Sequence, residues 1–258
     1  MFGANALVGM MSSGWNLRGA TYASKSYSVA AKDITPTGIY VKPDGSGYYI
    51  CGQTNDKIYQ YSMTNGDIDT SVFVSEFAIA GFNGNGLWFK PDGSGFLVVD
   101  GAGTLHKYTV TSWDITTAVL AQTGSTGYSY VWVNPAGTRL YYIYDSVSNT
   151  IGERSMTAWD ISTLSTIDTF AVDTEDTQPA GLFLDPTGRY IYMVGFNGND
   201  INLYAMSSLF DLTTCASESF SFSVASQDTA PYGIAFSADG QKMYVVGDTN
   251  DTIYQYSL

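Results

Sequence analysis

The sequence predicts an all-β fold, a five-bladed β-propeller with four-stranded antiparallel blades. Three observations predict it. One unit of roughly fifty residues occurs five times. Each copy is written only in strand-like runs and tight turns. The last copy stops one strand short, and a stretch near the N-terminus matches what is missing. A repeat of that length, made of short strands with regular turn signals, is the pattern of propeller blades.

The copies begin GIYVKPDGSGYYICG at Gly38, GLWFKPDGSGFLVVD at Gly86, YVWVNPAGTRLYYIY at Tyr130, GLFLDPTGRYIYMVG at Gly181 and GIAFSADGQKMYVVG at Gly233, spaced 48, 44, 51 and 52 residues apart. Each opens with an apolar run of about five residues, the first strand (residues 38–42, 86–90 and 181–185, for example). A turn follows, as in Pro43-Asp44-Gly45, Pro91-Asp92-Gly93 and Pro135-Ala136-Gly137. Proline presets φ and glycine tolerates positive φ, so these positions close hairpins. Tyr-rich runs such as 48–51, 190–194 and 243–246 form the second strand. An Asn/Asp loop comes next, at Asn55-Asp56, Asn199-Asp200 and Asn250-Asp251. The third strand is 58–62, 105–109, 201–205 and 253–257. It ends in Trp113-Asp114-Ile115-Thr116, Trp159-Asp160-Ile161-Ser162, Phe210-Asp211-Leu212-Thr213 or the weaker Gly66-Asp67-Ile68-Asp69. A fourth strand closes the unit, as in 72–80 or 220–225.

The fifth unit ends at Leu258 after three strands. Its outer strand is expected from residues 22–31, because Ser28-Val29-Ala30 leads to Asp33, Pro36 and Gly38 as Ser223-Val224-Ala225 leads to Asp228, Pro231 and Gly233. That pairing joins the two ends of the sheet circle and leaves no open blade. Residues 21–258 are thus one propeller domain, and residues 1–20 an N-terminal extension or docking arm. The first ten residues are apolar, without the basic region of a secretory signal and too short to span a membrane.

Composition narrows the partners. Eleven Lys and Arg against 24 Asp and Glu leave a formal charge of −13, which argues against nucleic acid. It also disfavours membrane insertion. Cys51 and Cys215 lie in different repeats with no disulfide framework, and Cys51, in a strand where other copies carry Val or Tyr, reads as a small buried hydrophobe.

Strand order sorts the loops by face. Loops from second to third strand, and from fourth strand to the next first strand, share a face that collects eleven acids, Asp145 among them, against Lys32 and Lys57. The opposite face, with the Pro-Asp-Gly and Trp-Asp turns, collects nine acids against five bases. Asp33, Asp176 and Asp228 each precede the first residue of a unit by five positions, which puts them near the mouth of the channel. A ring of carboxylates there suits a hard cation such as calcium. The competing reading is that each caps turn backbone. Trp88 and Trp132 share one first-strand position with Tyr40, Phe183 and Ala235 and read as core. Tyr128, Phe82 and Tyr232 flank loops of the acidic face. With Asn55, Asp56, Asn199, Asp200, Asn250 and Asp251 they make a candidate sugar site: rings stack on a pyranose while amides and carboxylates take its hydroxyls.

Catalytic motifs are lacking. His106 is the only histidine, on a third strand away from the channel, and the sequence has no HExxH, P-loop or GxSxG. No resident cofactor is expected.

The stretch Tyr244-Val245-Val246-Gly247-Asp248-Thr249-Asn250-Asp251 resembles the propellers called YVTN or NHL-like, with Val246 where that pattern has Thr. The combination of the PDG turn, Tyr-rich strands, IYQY strand and WDIST turn is similar to propeller units in phage tail or virion proteins. The resemblance implies a non-catalytic module of a tail, fibre or decoration protein, carried on the virion or extracellular. Such a module recognises a host-surface glycan or a neighbouring virion protein. The alternative it implies is a glycoside-active or lactonase-like enzyme using channel-mouth carboxylates and a bound cation.

Overall fold

The computed structural model describes residues 15–79, 83–144 and 148–258. Most of the expected arm (residues 1–14), Phe82, Asp145 and the last residue of the expected 72–80 strand lie outside the described residues. Blade I is β2 (Pro36–Val41), β3 (Gly47–Gly52), β4 (Lys57–Thr64) and β5 (Asp67–Ala78). Blade II is β6 (Gly86–Phe89), β7 (Gly95–Val99), β8 (Leu105–Thr111) and β9 (Asp114–Thr123). Blade III is β10 (Tyr128–Val133), β11 (Arg139–Tyr144), β12 (Thr150–Thr157) and β13 (Asp160–Ala171). Blade IV is β14 (Pro179–Leu184), β15 (Tyr190–Gly195), β16 (Asp200–Met206) and β17 (Cys215–Ser223). Blade V is β18 (Pro231–Phe236), β19 (Lys242–Gly247), β20 (Thr252–Ser257) and β1 (Thr21–Ser28).

All five sheets are antiparallel and four-stranded, and the fifth runs β1-β20-β19-β18. The inner strands β2, β6, β10, β14 and β18 contact one another in a closed ring. Burial falls from the axis outward, since blades pack face to face at the centre and splay at the rim. All six residues of β2 and of β3 are buried, whereas β5 is mostly exposed. That two-sided burial explains why inner strands read as continuous apolar runs rather than alternating ones.

The turn between third and fourth strands locks neighbouring blades. Its first residue stands at φ 69° in Trp113, 60° in Trp159, 57° in Phe210 and 64° in Gly66. Its N–H donates to the glycine carbonyl of the same blade's first turn, as Trp113 to Gly93 at 3.0 Å and Phe210 to Gly188 at 2.9 Å. Second-strand tyrosines reach across the seam to the carbonyl of that residue in the next blade: Tyr49 Oη donates to Trp113 O (2.5 Å) and Tyr244 Oη to Gly66 O (2.6 Å).

The fifth such turn corrects the expected domain boundary. Trp15 has φ 72°, donates to Gly240 O at 2.8 Å and accepts from Tyr192 Oη at 2.6 Å. Trp15-Asn16-Leu17-Arg18 is therefore the missing copy of the Trp-Asp-Ile turn. Blade V begins at Trp15, inside the stretch expected to be an arm, and its outer strand is Thr21–Ser28 rather than 22–31. Leu17 is fully buried in the core. No helix among the described residues is long and apolar enough to cross a membrane.

Candidate functional site

The axis is closed in layers. Four inner strands carry glycine at their third or first residue (Gly38, Gly86, Gly181, Gly233), and the fifth carries Tyr130. A Cβ on Gly86 would lie 2.9 Å from Tyr130 Cα, so the strands come too close there for a side chain. The Tyr130 ring is buried at 1% exposure, and its hydroxyl points across the axis to Ile39 O at 3.5 Å. The channel is sealed at this level, leaving a separate recess at each end.

The recess on the acidic face is polar and about 150 Å³. It exists because four inner strands carry a bulge just before the glycine layer. The extra residues there are Thr37, Ser129, Ala180 and Tyr232. A bulge re-aims its side chain, and all four line this recess with Gln53, Asn85 and Gln178. Tyr232 is half-buried, its ring 5.1 Å from Phe196, and burial raises its pKa.

Of the acidic-face residues picked from sequence, Tyr232 alone among the described ones belongs to this recess. Tyr128 is a correction: it is 1% exposed, its ring against Tyr142 at 4.9 Å with the Arg154 guanidinium 5.3 Å away, so it is core and offers no stacking surface. The Asn/Asp loops serve the backbone. Asp56, Asn199 and Asp251 are the left-handed residues of their turns, at φ 53°, 51° and 48°. Their carbonyls accept from Ile79, Val224 and Val29, the first apolar residues after the fourth strands, at 2.7–2.9 Å. Asn and Asp tolerate that conformation better than other side chains. Asn199 is thus the counterpart of Asp56 rather than of Asn55. Asn55 and Asn250 donate from Nδ2 to Lys32 O (2.6 Å) and Gln227 O (3.0 Å). Asp200 accepts from Asn202 at 2.8 Å, and burial raises its pKa.

Asp33, Asp176 and Asp228 face inward, but onto amides. Asp33 accepts from Thr35, Thr54 and Asn55 N–H, Asp176 from Gln178 and Gly198, and Asp228 from Ala230, Thr249 and Asn250. Each ties the start of its blade to its own second-to-third-strand loop. Among the described residues no group of three or more His, Cys, Asp or Glu is placed to hold a metal ion. His106 is buried, its Nε2 3.0 Å from Asp100 Oδ2, while Asp100 also accepts from Ala102 and Thr104 N–H.

The recess at the opposite end is an apolar bowl of about 200 Å³. Its floor is the layer of the inner strands two residues beyond the glycine layer: Tyr40, Trp88, Trp132, Phe183 and Ala235. Ring centroids are 5.2 Å apart for Trp88 and Trp132 and 6.0 Å for Trp88 and Phe183, so the floor is closed. Its rim is the first-turn position, Pro43, Pro91, Pro135, Pro186 and Ala238. Trp15 adds a wall, stacked on Phe183 at 5.5 Å. The indole N–H groups of Trp88 and Trp132 are buried within the floor and have no acceptor among the described residues. Apart from the Tyr40 phenol, whose pKa burial raises, the lining carries no ionisable group. Sequence reasoning singled out the floor but read it as core alone. The recurrence of proline at four of the five rim positions was the signal that these rings sit beneath an open mouth.

No family model matches the chain, and no curated protein matches it. Solved structures match it in fold. A functionally unknown protein from Desulfotomaculum acetoxidans is 14% identical, over 82% of this chain and 62% of its own, at a TM-score of 0.52. A proposed 6-phosphogluconolactonase from Bacteroides uniformis is 16% identical, over 84% of this chain and 65% of its own, at 0.53. A protein from Lactobacillus plantarum is 12% identical, over 86% and 67%, at 0.53. The chain spans just under two thirds of the length of the first two. At these identities the likeness is one of fold.

Proposed function

We propose that the chain is a non-catalytic recognition module, of the kind carried on the tails or fibres of virus particles, and that it takes a host-surface glycan at the axial bowl. The observation that carries this reading is the bowl itself: a closed aromatic floor under a rim of four prolines and an alanine. The rings the bowl presents to a ligand are those of the half-buried Trp88 and Trp15, and aromatic faces stack on the apolar face of a pyranose. Binding is favoured over hydrolysis because the bowl offers no acid–base pair, and Asp33, Asp176 and Asp228 are engaged with backbone amides. The virion setting rests on the resemblance of the PDG, IYQY and WDIST segments to phage propeller units.

The test is a printed glycan array probed with the full chain, with calcium and with a chelator. Saturable, calcium-independent binding that Trp88→Ala weakens at least about tenfold, a loss of about 1.4 kcal/mol, is expected, with circular dichroism showing the variant folded. An array blank in both conditions sinks the glycan reading and turns attention to a structural role in an assembly.

A further inference from the structure

The five-fold pattern of the bowl is broken at one place only among the described residues. At the floor, blade V has Ala235 where the other blades have Tyr40, Trp88, Trp132 and Phe183. At the rim, blade V has Ala238 where the others have proline. At the seam turns, blade I has Gly66 where the others have Trp113, Trp159, Phe210 and Trp15. Gly66 faces blade V: its carbonyl accepts from Tyr244 Oη, and Lys242 Nζ donates to Asn65 O at 2.5 Å beside it. All three reductions therefore meet at the seam between blades V and I.

What they leave is a second recess of about 230 Å³. It shares Pro43, Ser237 and Ala238 with the bowl, so the two recesses adjoin, one at the axis and the other farther out. The inner recess is aromatic. The outer recess carries Asp44, Asp239 and Lys242. Two carboxylates and an ammonium within one small notch offer acceptors and donors together, with near-balanced charge. Hydroxyl groups, which donate and accept at once, match that set. An apolar ligand would leave it unpaired, and a cation would meet Lys242.

We infer that the seam between blades V and I is the specificity-determining subsite of the glycan site. One sugar ring lies in the bowl against Trp88, and the hydroxyls of the next ring are read by Asp44, Asp239 and Lys242. This rests on the glycan reading of the bowl. It adds that recognition is one-sided: the other four seams, filled by an aromatic residue, take no sugar.

The experiment restores the missing repeat. Gly66→Trp puts into the notch the residue that three other seams carry, at a φ of 64° that lies within the 57–72° of its four counterparts. The clash it meets is with the Tyr244 hydroxyl and the Lys242 ammonium, both side-chain ends. Titration uses the oligosaccharide giving the strongest array signal and, separately, the methyl glycoside of its terminal sugar. Gly66→Trp is expected to weaken the oligosaccharide at least about tenfold while leaving circular dichroism and melting unchanged. Asp44→Asn keeps the cap on Ser46 N–H that Asp44 provides and removes one charge of the notch, so it is read even where Gly66→Trp misfolds. It should weaken the oligosaccharide several-fold. Oligosaccharide affinity unchanged in a folded Gly66→Trp, or in Asp44→Asn, overturns the subsite. If Trp88→Ala still abolishes binding in that case, the bowl reading stands without it. An array that is blank, or binding to a host surface that survives periodate oxidation of its sugars, overturns both.

Discussion

Replacing Trp15 tests whether the chain closes where the structure closes it. The Trp15 ring stacks on Phe183 at 5.5 Å, tilts against Phe236 at 5.3 Å and lies over Gly240, where an added Cβ would come within 2.5 Å of the indole. Truncating a fully buried Trp to Ala costs about 3–5 kcal/mol. Trp15 is half-buried, so Trp15→Ala should cost about 2–3 kcal/mol, or about 5–10 °C in Tm for a domain of this size. Its backbone bonds to Gly240 and Tyr192 survive the truncation. Two companions make the reasoning sharper. Trp15→Phe should cost under about 1 kcal/mol, because Phe210 fills the same place in the next seam. Trp15→Gly should be less damaging than Trp15→Ala by about 1 kcal/mol, the reverse of the usual order, because φ is 72° and Gly66 is the natural precedent. Urea unfolding followed by far-UV circular dichroism measures all three. A Trp15→Ala variant within about 0.5 kcal/mol of the parent, or a glycine variant worse than alanine, would refute the assignment of Trp15 to the fifth blade.

Two further predictions concern buried and acidic carboxyls. Glu153 is fully buried, accepting from Arg139 Nη1 and Leu212 N–H at 2.8 Å each, and burial raises its pKa. Glu153→Ala should cost about 2–4 kcal/mol by leaving both donors unpaired, whereas Glu153→Gln should cost under about 1 kcal/mol, since Gln255 does the same for Ile68 N–H at 2.9 Å. Equal losses in urea melts would contradict that division. The second prediction is that the two faces respond to pH in opposite directions. Burial first, and then neighbouring acids, raise Asp248 and Asp251, and burial raises Asp200, so the folded chain holds their protons more tightly than the unfolded one. Their contribution to stability grows as pH falls toward 3.8 and is lost as it rises. Asp44, Asp92 and Asp239 are lowered by hydrogen bonds from their own turns, so theirs is present above 3.8 and lost below it. Melting points should rise as pH falls from neutrality toward 3.8 and fall below it, and Asp248→Asn with Asp251→Asn should flatten the first limb. A monotonic decline from pH 7 would show that the acidic face carries no such strain.

The blade was legible because each element answers to a local rule. Pro-Asp-Gly closes a hairpin, two-sided burial writes an apolar run, and the Ser-Val-Ala of the N-terminus matches that at the end of the fourth blade. The Trp15 turn escaped because Asn16 replaces the turn aspartate and Arg18 the hydroxyl residue, leaving only Trp and an apolar partner two positions on. The acidic-face site was misread for a different reason. Asp56, Asn199, Asp251, Asp33 and Asp228 recur because the turns of their blades use a left-handed residue and a cap, and a need set by the blade says little about a ligand. Tyr128 looked exposed because it begins a strand beside a loop; only the packing of Tyr142 and Arg154 around it shows otherwise.

In a repeat protein, recurrence reports on the fold and departure from it is where a single ligand can be read. The reductions at Ala235, Ala238 and Gly66 meet that condition with two origins, an inner strand of blade V and a turn of blade I far away in sequence. Chain closure does not account for them. The ends are joined within blade V through β1 and β20, and the seam that closure builds, between blades IV and V, is filled by Trp15. The seam between blades V and I is bridged by continuous chain from Ser28 to Pro36, as every other seam is bridged between fourth and first strands. Nothing about folding requires it to be hollow, and filling it would bury more apolar surface. Adjoining recesses kept open against that gain, one aromatic and the other ionic, are the feature that most sets this chain apart from five equal blades.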